Sequence, residues 1–419
     1  MRRLLILAIL ILVPICAIVA ADDLTISAYS PMRVRSLSMG GTGTASARFG
    51  EVLYSNPALI DVDNQYFSIP SVSFSLYNVN KLVQPGGALD ILLRGGEDEE
   101  SLNRALNQLV NSIGPGEGEV ASAQASLGFI SGIMGLGLDM GVDVLSQGSG
   151  GESSTLMIDS SFALTLAMSL PVRISSDHSL SFGIAAHLDF RGFTIQDMDT
   201  PVALGGFTAG RLIDIFMEED AVAGILNGLP VAFGFAIPID IGVSYDWRDV
   251  LTLGLAMRNL NGRHYMQTYS GLNQLYYMLT GGYIGQDPPG EASQGDSFTA
   301  ASPFSLDFGI ALSTPAGGVW DWIDISWAFD LVDLTGLFTE DWDSIGGWIG
   351  HMRTGLELRL MRTFELRAGI NAGYLSFGFA FDFQIFKLDI AYATLEFGDA
   401  LGDKPLDLLT ISLKLGLDS

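Results

Sequence analysis

The chain has 419 residues and a formal net charge of −26, so a nucleic-acid partner is not expected, because a phosphate backbone would be repelled. Hydrophobic residues make up 48 % of the sequence, yet beyond residue 21 no run of about 18 apolar residues is free of charge, which argues against membrane-spanning helices. The one cysteine, Cys16, lies in the N-terminal apolar run, so neither disulfide nor thiol chemistry is expected in the remainder.

The first residues have the pattern of a secretory signal peptide. Met1-Arg2-Arg3 is basic, residues 4–19 are apolar, and Ala20-Ala21 provides small residues before Asp22. We therefore expect residues 1–21 to be a signal peptide and the protein to be exported.

Residues 22–64 have no clear strand period and are rich in Gly, Ala and Ser. Small residues such as Gly40 and Gly41 permit threading through a confined space. Arginines in this segment, among them Arg35, would find carboxylate partners on an acidic wall around such a space. Asn56-Pro57-Ala58 follows near the end of the segment.

The rest of the chain, residues 65–419, is dominated by segments in which apolar residues alternate with small or polar ones. This period of two predicts antiparallel strands with one apolar face. The candidates number fourteen and are residues 66–79, 121–130, 132–146, 156–170, 178–194, 231–246, 250–260, 303–314, 321–333, 350–361, 363–373, 375–385, 386–397 and 406–417.

The connections between these strands favour a membrane barrel over a soluble sandwich. Connections after even-numbered candidates are tight, as at Trp247-Arg248-Asp249, whereas several after odd-numbered candidates are long: 80–120, 195–230, 261–302 and 334–349. Short periplasmic turns that alternate with longer outer loops are typical of outer-membrane barrels, and a sandwich has no reason to sort its loops in this way. The predicted fold is all-β, a 14-stranded antiparallel transmembrane β-barrel.

The hairpin of residues 355–370 predicts two charge pairs on the polar face of the wall. If Leu360 pairs with Phe364, then Arg359 lies opposite Glu365, and Glu357 lies opposite Arg367. On a membrane barrel the polar face lines the lumen. We therefore expect these four residues to form lumenal charge pairs.

Two of the long outer loops are unusually apolar, with helix-like spacing. The candidate ligand-binding residues are Phe207, Leu212, Ile215 and Phe216 in loop 195–230, and Tyr269, Tyr276 and Tyr277 in loop 261–302. Exposed apolar patches mark interaction sites, which indicates a groove for a hydrophobic ligand. The alternative is that these loops bury their apolar faces against each other and cap the barrel.

Catalytic chemistry is not expected. The four histidines are scattered, and none has a second ligand at metal spacing. His187, Asp189 and Arg191 alternate on the polar face of one strand, which favours a hydrogen-bonded network in the lumen over a catalytic group. The sequence predicts a protein that is not an enzyme and that uses neither a cofactor nor a metal ion.

Met39-Gly40-Gly41 and Tyr54-Ser55-Asn56-Pro57-Ala58-Leu59 resemble the start of FadL-type outer-membrane transporters, and residues 240–260 resemble their middle region. The resemblance extends to PorV/PorQ-type proteins and to the FadL-like proteins of spirochaetes. It implies that residues 22–64 form a hatch that plugs the barrel, with Arg35, Gly40, Gly41 and Asn56-Pro57-Ala58 within it.

The resemblance also implies a location and two functions. The location is the outer membrane of a Gram-negative-type bacterium, in contact with membrane lipid. One function is passive uptake of hydrophobic small molecules such as long-chain fatty acids, through a groove formed by helical extracellular loops. The other, typical of PorV/PorQ-type proteins, is binding of protein partners in secretion or surface attachment.

Overall fold

The protein is represented by a computed structural model that describes residues 33–60, 65–95, 116–148, 155–195, 206–208, 227–283, 294–315, 317–383, 385–398 and 400–418, with isolated residues between them. The expected signal peptide lies outside the described residues. Three of the barrel strands consist of two segments each. The strands are β1 Tyr66–Tyr77, β2 Gly116–Ser131, β3 Met134–Gly148, β4 Thr155–Arg173, β5 His178–Thr194, β6 Val231–Ala236 and Ile239–Trp247, β7 Leu251–Leu260 and Arg263–Tyr269, β8 Gln294–Ala301 and Ser305–Ser313, β9 Ile323–Leu331, β10 Met352–Leu360, β11 Phe364–Asn371, β12 Tyr374–Asp382, β13 Phe386–Glu396 and β14 Pro405–Asp418.

These strands form a closed antiparallel barrel. Each pairs with its neighbours in the sequence, and β14 closes the ring by pairing with β1, with Leu408 opposite Tyr77 and Asp418 opposite Tyr66. The fourteen-stranded barrel predicted from the sequence is confirmed. Closure matters physically because a bilayer offers no water to unpaired backbone groups, so an open sheet edge could not cross it.

The barrel has its apolar side chains outside and its polar side chains inside. Outward-facing Phe74, Leu170 and Leu375 are 62 %, 60 % and 57 % exposed, whereas the inward-facing hydroxyls of Thr165 and Thr410 belong to residues that are fully buried. This arrangement follows from the alternation of the sequence, because successive side chains of a strand point to opposite faces. A continuous apolar outer surface of this size needs lipid around it.

The two rims of the barrel differ. The lower rim, which contains Tyr66 and Asp418, carries short connections such as residues 174–177 and 248–250, and it is the expected periplasmic side. The upper rim carries the long connections. Within the described residues, no helix is long and apolar enough to cross a membrane.

Strand length divides the barrel into two parts, which we name the tall wall, β2–β8, and the short wall, β9–β12. On the tall wall, β4 has 19 residues and β5 has 17. Strand β9 on the short wall has 9 residues, which at ~3.4 Å per residue and a tilt of ~40° span about 23 Å, close to the ~25 Å apolar band of such barrels. The short wall is therefore just tall enough to cross the membrane, and the tall wall extends well above it.

Three adjacent strands of the tall wall are interrupted at similar heights. The breaks fall at Ile237-Pro238 in β6, at Asn261-Gly262 in β7 and at residues 302–304 in β8. Proline has no N–H for the ladder, and both Asn259 and Asn261 have positive φ, so the pairing shifts by one residue here. The sequence-based prediction that β7 ends at residue 260 and that a loop fills 261–302 is therefore wrong. Strand β7 resumes at Arg263–Tyr269 and β8 already begins at Gln294–Ala301, so the loop is confined to 270–293.

Two short helices lie inside the barrel, α1 Val34–Ser38 and α2 Val52–Ser55, with 3₁₀ turns at Phe49–Glu51 and Pro57–Leu59. The helices of the upper rim are α3 Val79–Val83, α4 Ala88–Gly95, α5 Leu272–Thr280, α6 Leu334–Gly336 and α7 Ile345–His351, with a π turn at Leu337–Asp341. A further 3₁₀ turn, Gly318–Asp321, lies at the lower rim between β8 and β9.

Candidate functional site in the barrel lumen

Residues 33–60, which we call the N-terminal segment, lie inside the barrel against its inner face. The backbone of this segment passes so close to the wall that only glycine fits opposite it: a Cβ on Gly369 would overlap Gly40, and a Cβ on Gly183 would overlap Ala58. Gly40 itself has φ +70°, a conformation that favours glycine. The glycines of facing strands therefore provide the space in which the segment lies.

Gly40 and Gly41 form the tight turn that follows α1. Gly41 has φ +82°, and the Gly40 N–H donates to the Ser376 hydroxyl of β12 at 3.0 Å. Within the turn, the Gly41 N–H donates to the carbonyl of Ser36 at 2.8 Å. Both glycines predicted from the sequence thus lie directly against the short wall.

Asn56-Pro57-Ala58 contacts the opposite side of the barrel. The Asn56 side chain accepts a hydrogen bond from the Ala58 N–H at 3.1 Å and donates to the Thr44 carbonyl at 2.8 Å. The Ala58 carbonyl accepts from the hydroxyls of Ser169 in β4 and Ser244 in β6, both at 3.3 Å. The motif therefore folds back on the segment and rests on the tall wall through two long hydrogen bonds.

The short wall contacts the segment through a buried cluster of charges centred on Glu357. Arg35 Nε donates to Glu357 Oε2 at 2.8 Å, Arg367 Nε donates to the same oxygen at 2.9 Å, and Arg48 Nη1 lies 3.4 Å from Oε1. Glu51 accepts from Arg35 Nη1 at 3.1 Å. Burial lowers the pKa of Arg35, but attraction to Glu357 and Glu51 outweighs this and raises the pKa above its ordinary value, so Arg35 stays charged.

The cluster continues around the wall on β10, β11 and β13. Arg359 lies opposite Glu365 with a contact of 3.2 Å, and Arg367 lies opposite Glu357. Arg367 also pairs with Asp389 at 2.7 Å and with Glu365, which in turn accepts from Lys387 at 2.9 Å. The four residues named from the hairpin pattern are thus brought together, and the structure adds the segment's arginines to them.

Two further carboxylates hold the N-terminal segment. Asp330 on β9 accepts the backbone N–H groups of Gly43 and Thr44 at 2.7 and 2.8 Å. On the tall wall, Asp139 pairs with Arg33 at 2.7 Å and accepts the Tyr54 hydroxyl. The segment is therefore bound at both walls, with most of its charged contacts on the short one.

Above the segment, the inner face of the tall wall changes from charged to apolar. Along β5 and just past its end, the inward positions run from His187, Asp189 and Arg191 to Phe193 and Ile195. We call the apolar region at this height the upper chamber lining. It consists of two packed clusters, one of Phe193, Ile195, Ala232, Met266 and Ala300, and one of Tyr77, Val120, Leu156, Leu406 and Leu408 with Val34 and Leu37 of the segment.

The residues predicted for a loop groove are not gathered in one place. Phe207 pairs with Leu156 of β4 and packs on the upper chamber lining. Tyr276 and Tyr277 lie on α5, where Tyr277 stacks on Tyr283 at 4.5 Å. Tyr269 is the last residue of β7 and not a loop residue, because the buried residues Met266 and Thr268 continue the alternation of the strand. The remaining three predicted residues, Leu212, Ile215 and Phe216, lie outside the described residues.

Sequence reasoning missed several residues of the site. Glu51 pairs with Arg35 within the N-terminal segment, Asp330 binds the segment to the short wall, and Asp389 and Lys387 complete the charge cluster. The alternation of the sequence could have pointed to Asp330, Asp389 and Lys387, because each occupies an inward position of its strand. The partners of Asp330 are nearly three hundred residues away, and those of Asp389 and Lys387 lie two strands back, so the pattern of one hairpin could not identify them. Among the described residues, no group of three or more His, Cys, Asp or Glu could hold a metal ion.

No protein-family model matches the chain, and no curated protein has a matching sequence. Solved structures similar to it include a Pseudomonas aeruginosa FadL homologue at 10 % identity, TM-score 0.46, covering 94 % of this chain and 99 % of the other. They also include the Ralstonia pickettii toluene transporter TbuX, 11 % identical, TM-score 0.43, covering 95 % and 99 %. A third is the CymD monoaromatic hydrocarbon channel, 11 % identical, TM-score 0.45, covering 92 % and 96 %. FadL-type proteins are thus among the structures similar to this chain.

Proposed function

We propose that the protein is an outer-membrane channel for passive uptake of hydrophobic small molecules. The observation that carries the proposal is the change along the inner face of the tall wall, from the charged positions His187 to Arg191 to the apolar positions Phe193 and Ile195. Apolar side chains inside the upper end would not stabilise a water-filled barrel. Apolar surface contributes about 25 cal/mol per Å² to stability only when it is removed from water.

The proposed path begins at α5 on the upper rim. Tyr276 and Tyr277 are 40 % and 37 % exposed there, and a tyrosine offers an apolar body with a polar tip, which suits first contact with an apolar solute arriving from water. From this helix the solute would enter among the apolar side chains of the upper chamber lining. It would then meet the N-terminal segment, which closes the lower part of the lumen.

In this proposal the N-terminal segment acts as the hatch predicted from the sequence. At Ala58 the segment accepts weak hydrogen bonds from Ser169 and Ser244, whereas Arg35 makes strong ion pairs to Glu357. The side chains of residues 52–54 also pack on the tall wall. We expect the part near Asn56-Pro57-Ala58 to move while the part near Arg35 stays bound. The turn at Gly40 and Gly41, both with positive φ, lies between these two parts of the segment.

Long-chain fatty acids are one class of solute for this path, and smaller hydrocarbons are another. The second candidate function, binding of a protein partner as in PorV/PorQ-type proteins, would use the same exposed upper rim. It is favoured by a further apolar surface at the short wall, where Phe338, Trp342 and Ile345 are 61 %, 64 % and 82 % exposed.

The two functions are separated by native mass spectrometry of protein extracted gently from its own membrane, followed by lipid extraction. Uptake predicts a retained apolar molecule. Retention should fall at least about tenfold in Tyr276→Asp, since losing the burial of one aromatic side chain weakens binding by roughly 1.5–3 kcal/mol. The matched control is Trp342→Asp, an exposed aromatic at the short wall, which should retain the molecule. A stoichiometric protein partner on an empty barrel, lost in Trp342→Asp, would reject uptake in favour of partner binding.

A further inference from the structure

A cavity of about 250 Å³ lies where the three strands β6, β7 and β8 are interrupted. One side of it is apolar and is formed by residues at or near the breaks, Pro238, Pro303, Phe304 and Val332. The other side is polar and includes Tyr54 of the N-terminal segment with His187, Asp189, Asp240 and Arg258 of the wall. A cavity of about 150 Å³ can hold benzene, so this one has room for a single-ring molecule that carries a polar substituent.

The polar side carries more negative than positive charge. Its carboxylates are those of Asp189, Asp240 and Asp333, against one guanidinium, that of Arg258. Arg258 is already neutralised by Asp307, whose carboxylate lies 2.6 Å from Nη2. A ligand that enters the cavity therefore meets more carboxylates than guanidinium groups.

Both histidines beside these carboxylates are already engaged in hydrogen bonds. His187 Nε2 lies 3.1 Å from Asp240 Oδ2, and because a carboxylate only accepts, Nε2 donates this hydrogen bond. His187 Nδ1 lies 2.8 Å from the Thr165 hydroxyl. His264 Nε2 donates to Asp189 Oδ2 at 3.0 Å, and its Nδ1 has no partner.

Asp189 provides the observation that points to a ligand. The residue is 3 % exposed and lines the cavity, and its Oδ1 has no hydrogen-bond partner, whereas Oδ2 is bonded to His264. A buried carboxylate oxygen without a hydrogen-bond donor lowers the stability of the folded protein. A ligand that donates to Asp189 Oδ1 would remove this cost. Asp240, in contrast, is satisfied by His187 and by the Asn259 N–H at 2.9 Å.

We propose that this cavity binds a small amine with an apolar body, the protonated nitrogen donating to Asp189 and the body packing on Pro303, Phe304 and Val332. The inference rests on the proposed function, to which it adds a class of solute that the channel selects. The formal net charge of −26 supports it further, because an acidic protein concentrates organic cations near its surface. Carboxylates of the same size would be repelled from the site.

The test is equilibrium dialysis of the full chain in lipid nanodiscs against empty nanodiscs, with benzylamine, toluene and benzoate as probes of one ring each. We expect benzylamine to bind at least about tenfold more tightly than either of the others, the lower end of what a charge-assisted hydrogen bond contributes. In Asp189→Asn the ratio of benzylamine to toluene affinity should fall about tenfold, while Asp177→Asn, in an exposed turn of the lower rim, should keep the ratio.

The wild-type comparison decides the matter even if Asp189→Asn does not fold. Toluene bound without any preference for benzylamine would overturn the amine site and leave uptake of hydrophobic molecules standing. Binding of none of the three probes would overturn both the amine site and the uptake of single-ring hydrocarbons. An equal preference for benzoate and benzylamine would show that the carboxylates of the cavity do not select charge, and would also overturn the inference.

Discussion

The short and tall walls of the barrel hold the same N-terminal segment by different means. On the short wall, Glu357 and Asp330 bind the segment through buried charges. On the tall wall, the Ala58 carbonyl accepts from two serine hydroxyls at 3.3 Å, Asp139 contributes one ion pair and accepts the Tyr54 hydroxyl, and the remaining contacts are apolar. Buried ion pairs are geometrically demanding and costly to break, whereas long hydroxyl contacts can shift by a few tenths of an ångström at little cost.

This difference indicates a division of roles. The short wall is only as tall as the membrane and carries the fixed attachment, while the tall wall carries the strand breaks, the cavity and the upper chamber lining. A segment bound firmly at one side and loosely at the other can open the lumen beside the loose side without leaving the barrel. The following predictions test that comparison.

The largest effect is expected from Glu357→Gln. The substitution removes the carboxylate that Arg35 and Arg367 share, and breaking a buried ion pair costs up to roughly 3–5 kcal/mol. Arg35 keeps Glu51 and Arg367 keeps Asp389, so we expect a loss at the lower end of that range. We expect a lower unfolding temperature in detergent, together with increased ion conductance in planar bilayers as the segment loosens.

The control for this prediction is Asp177→Asn, which breaks the exposed pair between Asp177 and Arg248 at the lower rim. Exposed pairs contribute little, so its unfolding temperature should stay close to that of the wild type. Equal losses in the two variants would mean that the cluster around Glu357 is no stronger than a surface contact, and the short wall would not be the fixed side.

A pair of glycine substitutions compares the two walls directly. A Cβ on Gly369 would overlap the Gly40 backbone at the short wall, and one on Gly183 would overlap Ala58 at the tall wall. Overpacking of this kind costs about 1–3 kcal/mol. We expect Gly369→Ala to lie at the upper end of that range because the ion pairs prevent the segment from retreating, and Gly183→Ala at the lower end because the segment can move away.

The readouts are the free energy of unfolding in urea and the conductance in planar bilayers. Gly346→Ala on α7, where an added Cβ meets nothing within 4 Å, is the matched control and should change neither. If Gly183→Ala destabilises the protein as much as Gly369→Ala does, the tall wall is as rigid as the short one, and the division of roles fails.

The amino-acid sequence predicted most of the fold and part of the site, for a physical reason. Alternation is a local property, so strands such as β10 and β11 could be predicted from it, and the tight turn between them fixes which residues face each other, as with Arg359 and Glu365. The contact of Arg35 with Glu357 spans 322 residues, and no local pattern encodes it.

The strand breaks of the tall wall were misread for a related reason. Pro303 and the Asn261-Gly262 pair are typical turn residues. In the sequence-based prediction, one strand accordingly ended at residue 260 and the next began at residue 303. Pairing with neighbouring strands carries β7 and β8 across these interruptions, with Arg263 opposite Ala301 just beyond. Pairing between strands therefore outweighs the local turn signal. The residues at the breaks themselves stay outside the strands, and Pro238 and Pro303 among them line the cavity.

The smallest effect is expected at the upper rim, where Glu396 organises the connection 397–404 beside the short wall. Its carboxylate accepts the Tyr374 hydroxyl and the N–H groups of Gly398, Gly402 and Lys404. Although partial burial raises the pKa of Glu396, these hydrogen bonds outweigh it and lower the pKa to about 2. Because the folded-state pKa is depressed, the stabilisation is present above the ordinary carboxyl pKa and is lost as pH falls toward 2.

The measurement is the amide chemical shifts of residues 398 and 402 in the labelled protein as pH is lowered. They should titrate with a midpoint near 2, and Glu396→Gln should abolish the titration while leaving the barrel folded. A midpoint near the ordinary value for glutamate would mean that the connection does not hold this carboxylate. The upper rim beside β12 would then be loose, and the fixed attachment of the segment would rest on the buried cluster around Glu357 alone.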